Sequence, residues 1–367
     1  MRANRPSGSM RGGERKRSTD NFGRFKLLHC APCPLYPRGS GRLSSCPKSN
    51  PSVIFIPMPA HEILVSRRAM LARSAVAVAS LAFPRIAFAQ EPPKNRKIVV
   101  TIDDGPVTGA GRELEPFVRI ADALREAFVA EKVPAIMFIN ERQFNVDGQR
   151  DARVGVLHRW LDAGLDLGNH TYSHPDLGKV EPARFLDDII KGEVISRPLL
   201  EARGKKLVWF RYPFLATASG DTAVAVEEFL TRRGYRIAPV SVDYRDYSYA
   251  GVYARHVRAG DKQKADEQFA TVLKALDESF ARAETRSVEV LGYELAQTLL
   301  IHCNEMNSLT LRTTLQRIRD RGYAFVSMDE AMEDPAYKIA GIRPGGMGGG
   351  GLFNSLAAAK RGAGPRQ

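Results

Sequence analysis

The chain has 367 residues, 44% hydrophobic and 26% charged, which is long enough for two domains. Its formal net charge is +13, but residues 1–89 carry 15 Lys and Arg against 3 Asp and Glu, a net of +12. The remainder carries 39 Lys and Arg against 38 Asp and Glu, a net of +1. The basic excess therefore lies ahead of the folded part, and we predict no nucleic-acid binding by that part.

Residues 58–89 have the pattern of an export signal. A twin-arginine pattern at 67–68 is followed by an apolar run over 74–83 and by an A-x-A-like cleavage site at 87–89. The apolar run is shorter than the about 20 residues that a membrane span requires. We therefore expect export to the periplasm or the extracellular space, without stable membrane insertion after cleavage. An uncleaved anchor or a buried N-terminal helix is the alternative.

The segment ahead of this signal, residues 1–57, is rich in Arg, Ser, Gly and Pro and shows no periodicity. It is either a disordered extension or the product of a mis-called start, with Met58 as the true one. Three of the four cysteines, including the C-x-x-C pair at 30 and 33, precede the cleavage site. Only Cys303 follows it, so we expect no intrachain disulfide after cleavage and interpret Cys303 as a small buried residue.

From residue 97 onward, short apolar runs alternate with helical patterns. The predicted strands are 98–102, 134–139, 165–168, 207–210, 237–242, 298–301 and 324–327. Such alternation predicts an α/β fold of parallel strands with crossover helices in one catalytic domain over 90–337. A barrel and an open doubly wound sheet both fit the pattern. We expect extra helices beside the site in 248–297, and a flexible Gly-rich tail over 338–367 in which 352–359 can form a short helix.

Polar motifs follow the predicted strands. They are Asp103-Asp104, His170 with His174, Arg211-Tyr212, Asp243 with Asp246, and His302. Because the carboxyl ends of parallel strands meet at one rim, these side chains are expected to converge there. The site therefore draws on segments that are far apart in the chain.

The two histidines suggest a metal site. On a helical turn, His170 and His174 at i, i+4 would lie on one face and bind one cation, and one carboxylate would complete three ligands. Such a set suits Zn²⁺, with Co²⁺ or Fe²⁺ as alternatives. Asp103 and Asp104 cannot both point one way from a regular strand, but a turn through Gly105-Pro106 would let both reach the site.

The motifs, in this order, resemble those of the polysaccharide deacetylases of the NodB-homology group, carbohydrate esterase family 4. The resemblance covers roughly residues 97–335 and implies a distorted (β/α)7-type barrel. It also implies roles for the matching residues: Asp104, His170 and His174 as metal ligands; Asp103 as catalytic base, paired with Arg211; His302 as general acid, paired with Asp246; the Tyr212 N–H as an oxyanion donor; and Leu300 and Tyr247 as the walls around the acetyl group. The pairing with Arg211 would hold Asp103 ionised and lower its pKa.

The resemblance thus implies a metal-dependent hydrolase that removes N-acetyl or O-acetyl groups from a polysaccharide such as one containing N-acetylglucosamine. Tyr247 stands where the family most often has Trp, and Phe214 where Tyr is common, which bears on which glycan is bound. Two alternatives remain open: hydrolysis of a non-sugar amide on the same fold, and a glycan-binding protein without turnover.

Overall fold

The computed structural model describes residues 95–109, 111–339 and 350–362. The predicted extension 1–57 and export signal 58–89 lie outside these residues. The strands are β1 Arg96–Gly105, β2 Ala135–Ile139, β3 Asp166–Asn169, β4 Trp209–Phe210, β5 Arg236–Ile237, β6 Val242–Asp243, β7 Gln297–His302 and β8 Tyr323–Phe325. The α-helices are α1 Leu114–Ala130, α2 Arg150–Asp162, α3 Pro182–Lys191, α4 Ser196–Glu201, α5 Gly220–Arg232, α6 Tyr247–Arg258, α7 Lys262–Leu291, α8 Glu305–Asp320, α9 Met328–Ala331 and α10 Gly350–Gly362.

All strand pairs are parallel, and the sheet order is β5-β4-β3-β2-β1-β7-β6, with β8 on β1. Strands β5 and β6 are therefore at opposite ends of the order, although only residues 238–241 separate them. Five residue steps reach at most about 17 Å, whereas six strand spacings in a flat sheet span about 29 Å. The sheet must therefore curl, which confirms the distorted barrel and excludes the open sheet.

The predicted strand at 237–242 is two strands in the structure. Arg236–Ile237 pairs with β4, and Val242–Asp243 pairs with β7. Pro239 lies between them and has no N–H to donate to a ladder. The segment thus crosses from one end of the curled sheet to the other, which a single regular strand cannot do.

Side chains of β1 alternate between the helices and the barrel interior. Ile98, Val100 and Ile102 pack in the large core that the sheet shares with the outer helices. Val99 packs in a separate inner cluster with residues such as Phe138 and Trp209. By the period of two along a strand, Asp103 follows Val99 onto the inner face. The first catalytic candidate therefore points into the barrel.

Helices α6 and α7 form the predicted addition beside the site. Among the described residues, none of the helices combines the length and apolar character that crossing a bilayer requires. Within the segment predicted as a flexible tail, Gly350–Gly362 instead forms helix α10, because Leu352, Phe353 and Leu356 bury their side chains in the core. Residues 340–349 of that segment lie outside the described residues.

Candidate active site and metal centre

Asp103 and Asp104 are neighbours on β1, yet both line one cavity. Successive side chains of a regular strand point to opposite faces, so the backbone must change locally. Asp104 has a φ of 59°, and the register with β2 shifts between Ile102 and Gly105. The change therefore lies at Asp104 itself, one residue ahead of the predicted turn at Gly105-Pro106, and brings both carboxylates to the site.

His170 directly follows β3, and His174 lies further along a loop. The predicted helical turn is wrong, because Thr171 and His174 have φ values of 68° and 60°. These two left-handed residues fold the loop back, and the imidazole centroids lie 4.8 Å apart. Gly192 packs against this loop, where a Cβ would lie 2.5 Å from the carbonyl carbon of Thr171. The backbone of the histidine loop therefore depends on a glycine from another segment.

Two buried asparagines hold the same loop. Asn140 Nδ2 donates to the carbonyl of His170 at 2.6 Å, and Asn169 Oδ1 accepts from the N–H of Thr171 at 2.7 Å. Sequence reasoning missed both residues. Asn140 and Asn169 each come directly after a predicted strand, so their location at the rim could have been predicted. Their hydrogen bonds to the histidine loop could not, because the loop is irregular.

Asp104, His170 and His174 form a donor set of the right size for a metal ion. Asp104 Oδ1 lies 3.6 Å from His170 Nε2 and 3.2 Å from His174 Nε2, and the three ligand atoms lie within 4.8 Å of one another. Tetrahedral Zn²⁺ with bonds of about 2.0–2.1 Å separates its ligands by about 3.4 Å. The donor types and their spacing therefore fit such an ion.

The tautomer of His170 is fixed by the backbone. Its Nδ1 lies 2.8 Å from the carbonyl oxygen of Arg211, which can only accept a hydrogen bond. Burial, with a contribution from His174, lowers the pKa of His170 to about 3. The ring is therefore neutral at physiological pH, with the proton on Nδ1 and the Nε2 lone pair toward Asp104, as a metal ligand needs.

Asp103 and Arg211 form a buried pair. Arg211 Nη1 donates to Asp103 Oδ2 at 3.3 Å, Nη2 donates to Thr101 Oγ1 at 3.0 Å and to the carbonyl of Pro239 at 3.3 Å, and the guanidinium lies 4.7 Å from the Phe138 ring centroid. We expected this pairing to lower the pKa of Asp103. Burial instead raises the pKa, and the opposing effect of Arg211 does not cancel it. Asp103 Oδ1 is buried and has no hydrogen-bond partner among the described residues.

His302 and Asp246 form a second pair across the cavity. His302 Nδ1 lies 2.6 Å from Asp246 Oδ1. Burial opposes protonation, but Asp246 outweighs it and raises the pKa of His302 to about 10. Asp246 Oδ2 accepts from the His302 N–H at 2.9 Å, Asn304 Nδ2 at 3.0 Å and Asn307 Nδ2 at 2.6 Å. The sequence analysis missed both asparagines; Asn304 caps α8, the kind of position where Asn is favoured.

These groups line a cavity of about 260 Å³. Its lining residues are Asp103, Asp104, His170, His174, Phe214, Leu215, Asp243, Arg245, Tyr247, Leu300 and His302. Leu300 is buried and clusters with Leu215. Tyr247 is 51% exposed, with its ring 5.2 Å from that of His302. Phe214 is 53% exposed and packs 4.4 Å from the His174 ring, so two aromatic side chains flank the opening.

Three candidates, Arg211, Tyr212 and Asp246, do not line the cavity. Arg211 lies behind Asp103, to which it donates. Tyr212 is buried, and its ring stacks on Phe185 at 6.1 Å. Asp246 lies behind His302 and is completely buried. The structure thus brings nine of the ten predicted site residues to the cavity or into hydrogen-bond contact with its lining. Tyr212 was predicted for its backbone N–H, and its side chain packs in the core.

The family model described as polysaccharide deacetylase matches residues 90–234. A chitin deacetylase from Arthroderma benhamiae is 24% identical over 66% of this chain and 53% of its own length. A peptidoglycan-N-acetylglucosamine deacetylase from Bacillus cereus is 28% identical over 44% of this chain and 51% of its own length. The chain thus spans about half the length of these curated relatives.

Among solved structures, the chitin deacetylase of Colletotrichum lindemuthianum aligns with a TM-score of 0.45 and 19% identity, covering 66% of this chain and 89% of the other. The family match contains Asp103, Asp104, His170, His174 and Arg211, while Asp246 and His302 come later in the chain. Residues 90–234 thus match the polysaccharide deacetylase family, and the curated relatives that the chain resembles are chitin and peptidoglycan deacetylases.

Proposed function

We propose that this protein is a metal-dependent hydrolase that removes acetyl groups from a polysaccharide containing N-acetylglucosamine. The observation that carries the proposal is the cavity in which a candidate base pair, Asp103–Arg211, and a candidate acid pair, His302–Asp246, flank a three-ligand metal set. The names of the family and of its relatives, chitin and peptidoglycan deacetylases, support the choice of substrate.

Asp104, His170 and His174 would hold the ion, for which Zn²⁺ is the first choice. The bound ion would supply Lewis-acid chemistry, polarising the acetyl carbonyl and making water easier to deprotonate. The neutral state of His170 and its bond to the Arg211 carbonyl support this assignment. Since Arg211 also contacts Asp103 through its guanidinium, one residue orients both a ligand and the candidate base.

Asp103 is the proposed general base. Its carboxylate accepts a proton from the attacking water, and its buried Oδ1 has no protein partner among the described residues. Arg211 orients the carboxylate and keeps a positive charge beside it, which favours the ionised form over the protonated one. The same guanidinium is fixed by Thr101 and Pro239, so it cannot swing away from Asp103.

His302 is the proposed general acid. Asp246 accepts from Nδ1, which leaves Nε2 and its proton to face the leaving nitrogen when the acetyl carbon–nitrogen bond breaks. Three further donors hold Asp246 in place. Leu300 forms an apolar wall suited to the acetyl methyl group, Tyr247 flanks the sugar, and the Tyr212 N–H is the proposed donor to the oxyanion.

The finer expectations rest on the sequence and form part of this proposal. The protein would be exported by the twin-arginine route and act in the periplasm or outside the cell. The absence of a strong net charge beyond residue 89 agrees with a glycan rather than a nucleic acid as the partner.

The test is acetate release by the purified protein from chitin hexasaccharide, peptidoglycan, acetylated xylan and a non-sugar acetamide. Release from an N-acetylglucosamine polymer supports the proposal, and release from xylan alone would make the enzyme an O-deacetylase. Release only from the non-sugar amide would favour the alternative amidohydrolase. Glycan binding with metal present but no release would favour a binding protein.

A further inference from the structure

The central cavity continues into a larger groove on one side. Asp104 and His174 line both the central cavity and a neighbouring cavity of about 680 Å³. That neighbour shares Arg142, Tyr172 and other residues with an outer cavity of about 600 Å³. The histidine loop, through Tyr172 and His174, therefore forms one continuous wall from the metal ligands to the outer cavity.

The outer cavity presents arginines that have no acidic partner among the residues that the structure describes. We call Arg142, Arg150 and Arg184 the arginine triad; all three line this cavity and are exposed. In the described part of the chain, no hydrogen bond or ion pair engages any of the three guanidinium groups. They come from three separate segments, the 3-10 turn after β2 and the first turns of α2 and α3. Their convergence is therefore a product of the fold and not of a local charge run.

The carboxylates of the outer cavity are already engaged. Glu141 is buried and accepts from the backbone N–H groups of Ile195 and Ser196. Asp188 is buried and accepts from the N–H and hydroxyl of Ser173. The third, Asp187, pairs with Lys191 at 2.5 Å. The arginine triad is thus the set of charged groups left to meet a ligand.

The opposite side of the central cavity differs. A third cavity, which shares Tyr247 and His302 with the central one, contains Arg119 and Arg258. Both of these arginines pair with Glu305, at 3.4 Å and 3.2 Å. The two arginines on this side are therefore paired, whereas among the described residues the arginine triad, on the side reached past His174, is not.

We propose that the arginine triad binds carboxylates of an anionic glycan whose acetylated sugar lies in the central cavity. This inference rests on the proposed function and narrows it to a glycan carrying carboxylate groups on sugars beyond the reacting one. Guanidinium groups match carboxylates in shape and can bind them through two parallel hydrogen bonds. The intermediate exposure of Tyr172 leaves an aromatic surface beside the triad against which a sugar ring can pack.

Binding is tested by calorimetry in an Asp103→Asn background, so that the ligand is not consumed. The probes are a hyaluronan octasaccharide, in which N-acetylglucosamine alternates with glucuronate, and the same octasaccharide with its carboxyl groups reduced to alcohols. A peptidoglycan fragment with free lactyl and peptide carboxylates, compared with the same fragment after reduction of its carboxyl groups, tests the second source of charge. The readout is the ratio of affinities for the charged and the reduced ligand.

The expected ratio is about tenfold or more at low salt and smaller at about 0.15 M salt, where charges are screened. Replacing Arg142, Arg150 and Arg184 together by Gln should bring the ratio close to one. The matched control replaces Arg232, Arg282 and Arg286 by Gln; these are exposed helix arginines that line none of the cavities described above, and the change in net charge is the same. This control should keep the ratio.

A ratio near one for the wild-type groove, with both carboxylated probes, would overturn the proposal. So would a ratio that falls equally in the triad variant and in the control, since that would indicate long-range charge rather than a site. Melting temperatures verify folding, and the single variant Arg142→Gln gives the same comparison if the triple variant is unstable. Because calorimetry measures binding, the outcome is distinct from any failure to release acetate.

Discussion

Replacing Asp246 by Asn should move the alkaline limb of the pH–rate profile by several pH units. The carboxylate accepts from His302 Nδ1 at 2.6 Å, and its charge is what raises the pKa of His302 to about 10 against the effect of burial. A general acid works in its protonated form, so activity is present below this pKa and is lost as pH rises through it. Without this carboxylate, burial opposes protonation, and only the weaker effects of Asp104 and Asp103 favour it, so the pKa should fall toward its ordinary value.

The size of the effect follows from the two pKa values. At pH 8.5, a histidine with a pKa of about 10 is protonated to about 97%, whereas one with the ordinary pKa of about 6.5 is protonated to about 1%. We therefore expect kcat at pH 8.5 to fall about one hundredfold more than kcat at pH 5.5. The expected loss lies within the range of about 10²–10⁴ that a general acid contributes.

The assay is acetate release from chitin hexasaccharide between pH 5 and 10. Asp243→Asn is the matched control, because Asp243 lines the same cavity but its carboxylate bonds to the N–H of Arg245 and not to His302. That variant should shift the alkaline limb far less. An unchanged alkaline limb in Asp246→Asn, with the fold intact, would refute the assignment of His302 as an acid tuned by Asp246.

Three further variants test other parts of the site. Asp103→Asn should lower acetate release about 10²–10⁴-fold while the metal content by elemental analysis stays unchanged; loss of the metal as well would show that base and ligand were assigned wrongly. Gly192→Ala places a Cβ 2.5 Å from Thr171 and should cost about 1–3 kcal/mol in denaturant unfolding and weaken metal binding. Gly155→Ala, where the nearest atom is a flexible arginine end at 3.4 Å, should be neutral or stabilising, and equal costs for the two would contradict the packing argument. Leu300→Ala should enlarge the space for the acyl group, so the ratio of kcat/KM for acetyl over propionyl substrates should fall. An unchanged ratio would show that Leu300 does not line the space for the acyl group.

The fold was predictable because its signals are local. Buried parallel strands appear as short apolar runs, and each of the predicted runs contains or overlaps a strand of the structure. The run at 237–242 was predicted as one strand because an apolar run does not show where the chain leaves one end of the sheet for the other. Pro239, which has no N–H to donate to a ladder, is the residue that indicates the break. A short helix at 352–359 was allowed by the sequence, but its packing into the core was not predicted, because the glycines at 345–351 dominate the composition around it.

The site was predictable to the level of which residues meet, since strand ends converge on one rim. The backbone conformation of the site was not predictable from the sequence. The left-handed residues Asp104, Thr171 and His174 set the directions of the carboxylates and imidazoles, and no spacing rule contains that information. The net pKa of Asp103 was missed for a related reason: pairing with Arg211 is visible in a motif, whereas the depth of burial that outweighs it is not.

The measurement that tests the account most directly is acetate release from chitin hexasaccharide before chelation, after removal of bound metal, and after addition of Zn²⁺, with metal content determined at each stage. The account predicts release that is lost with the metal and restored with about one Zn²⁺ per chain, and no restoration in a variant with His170 and His174 both replaced by Ala. Release that persists in metal-free protein, or that Zn²⁺ restores equally in the double variant, would contradict the assignment of Asp104, His170 and His174 as the metal centre.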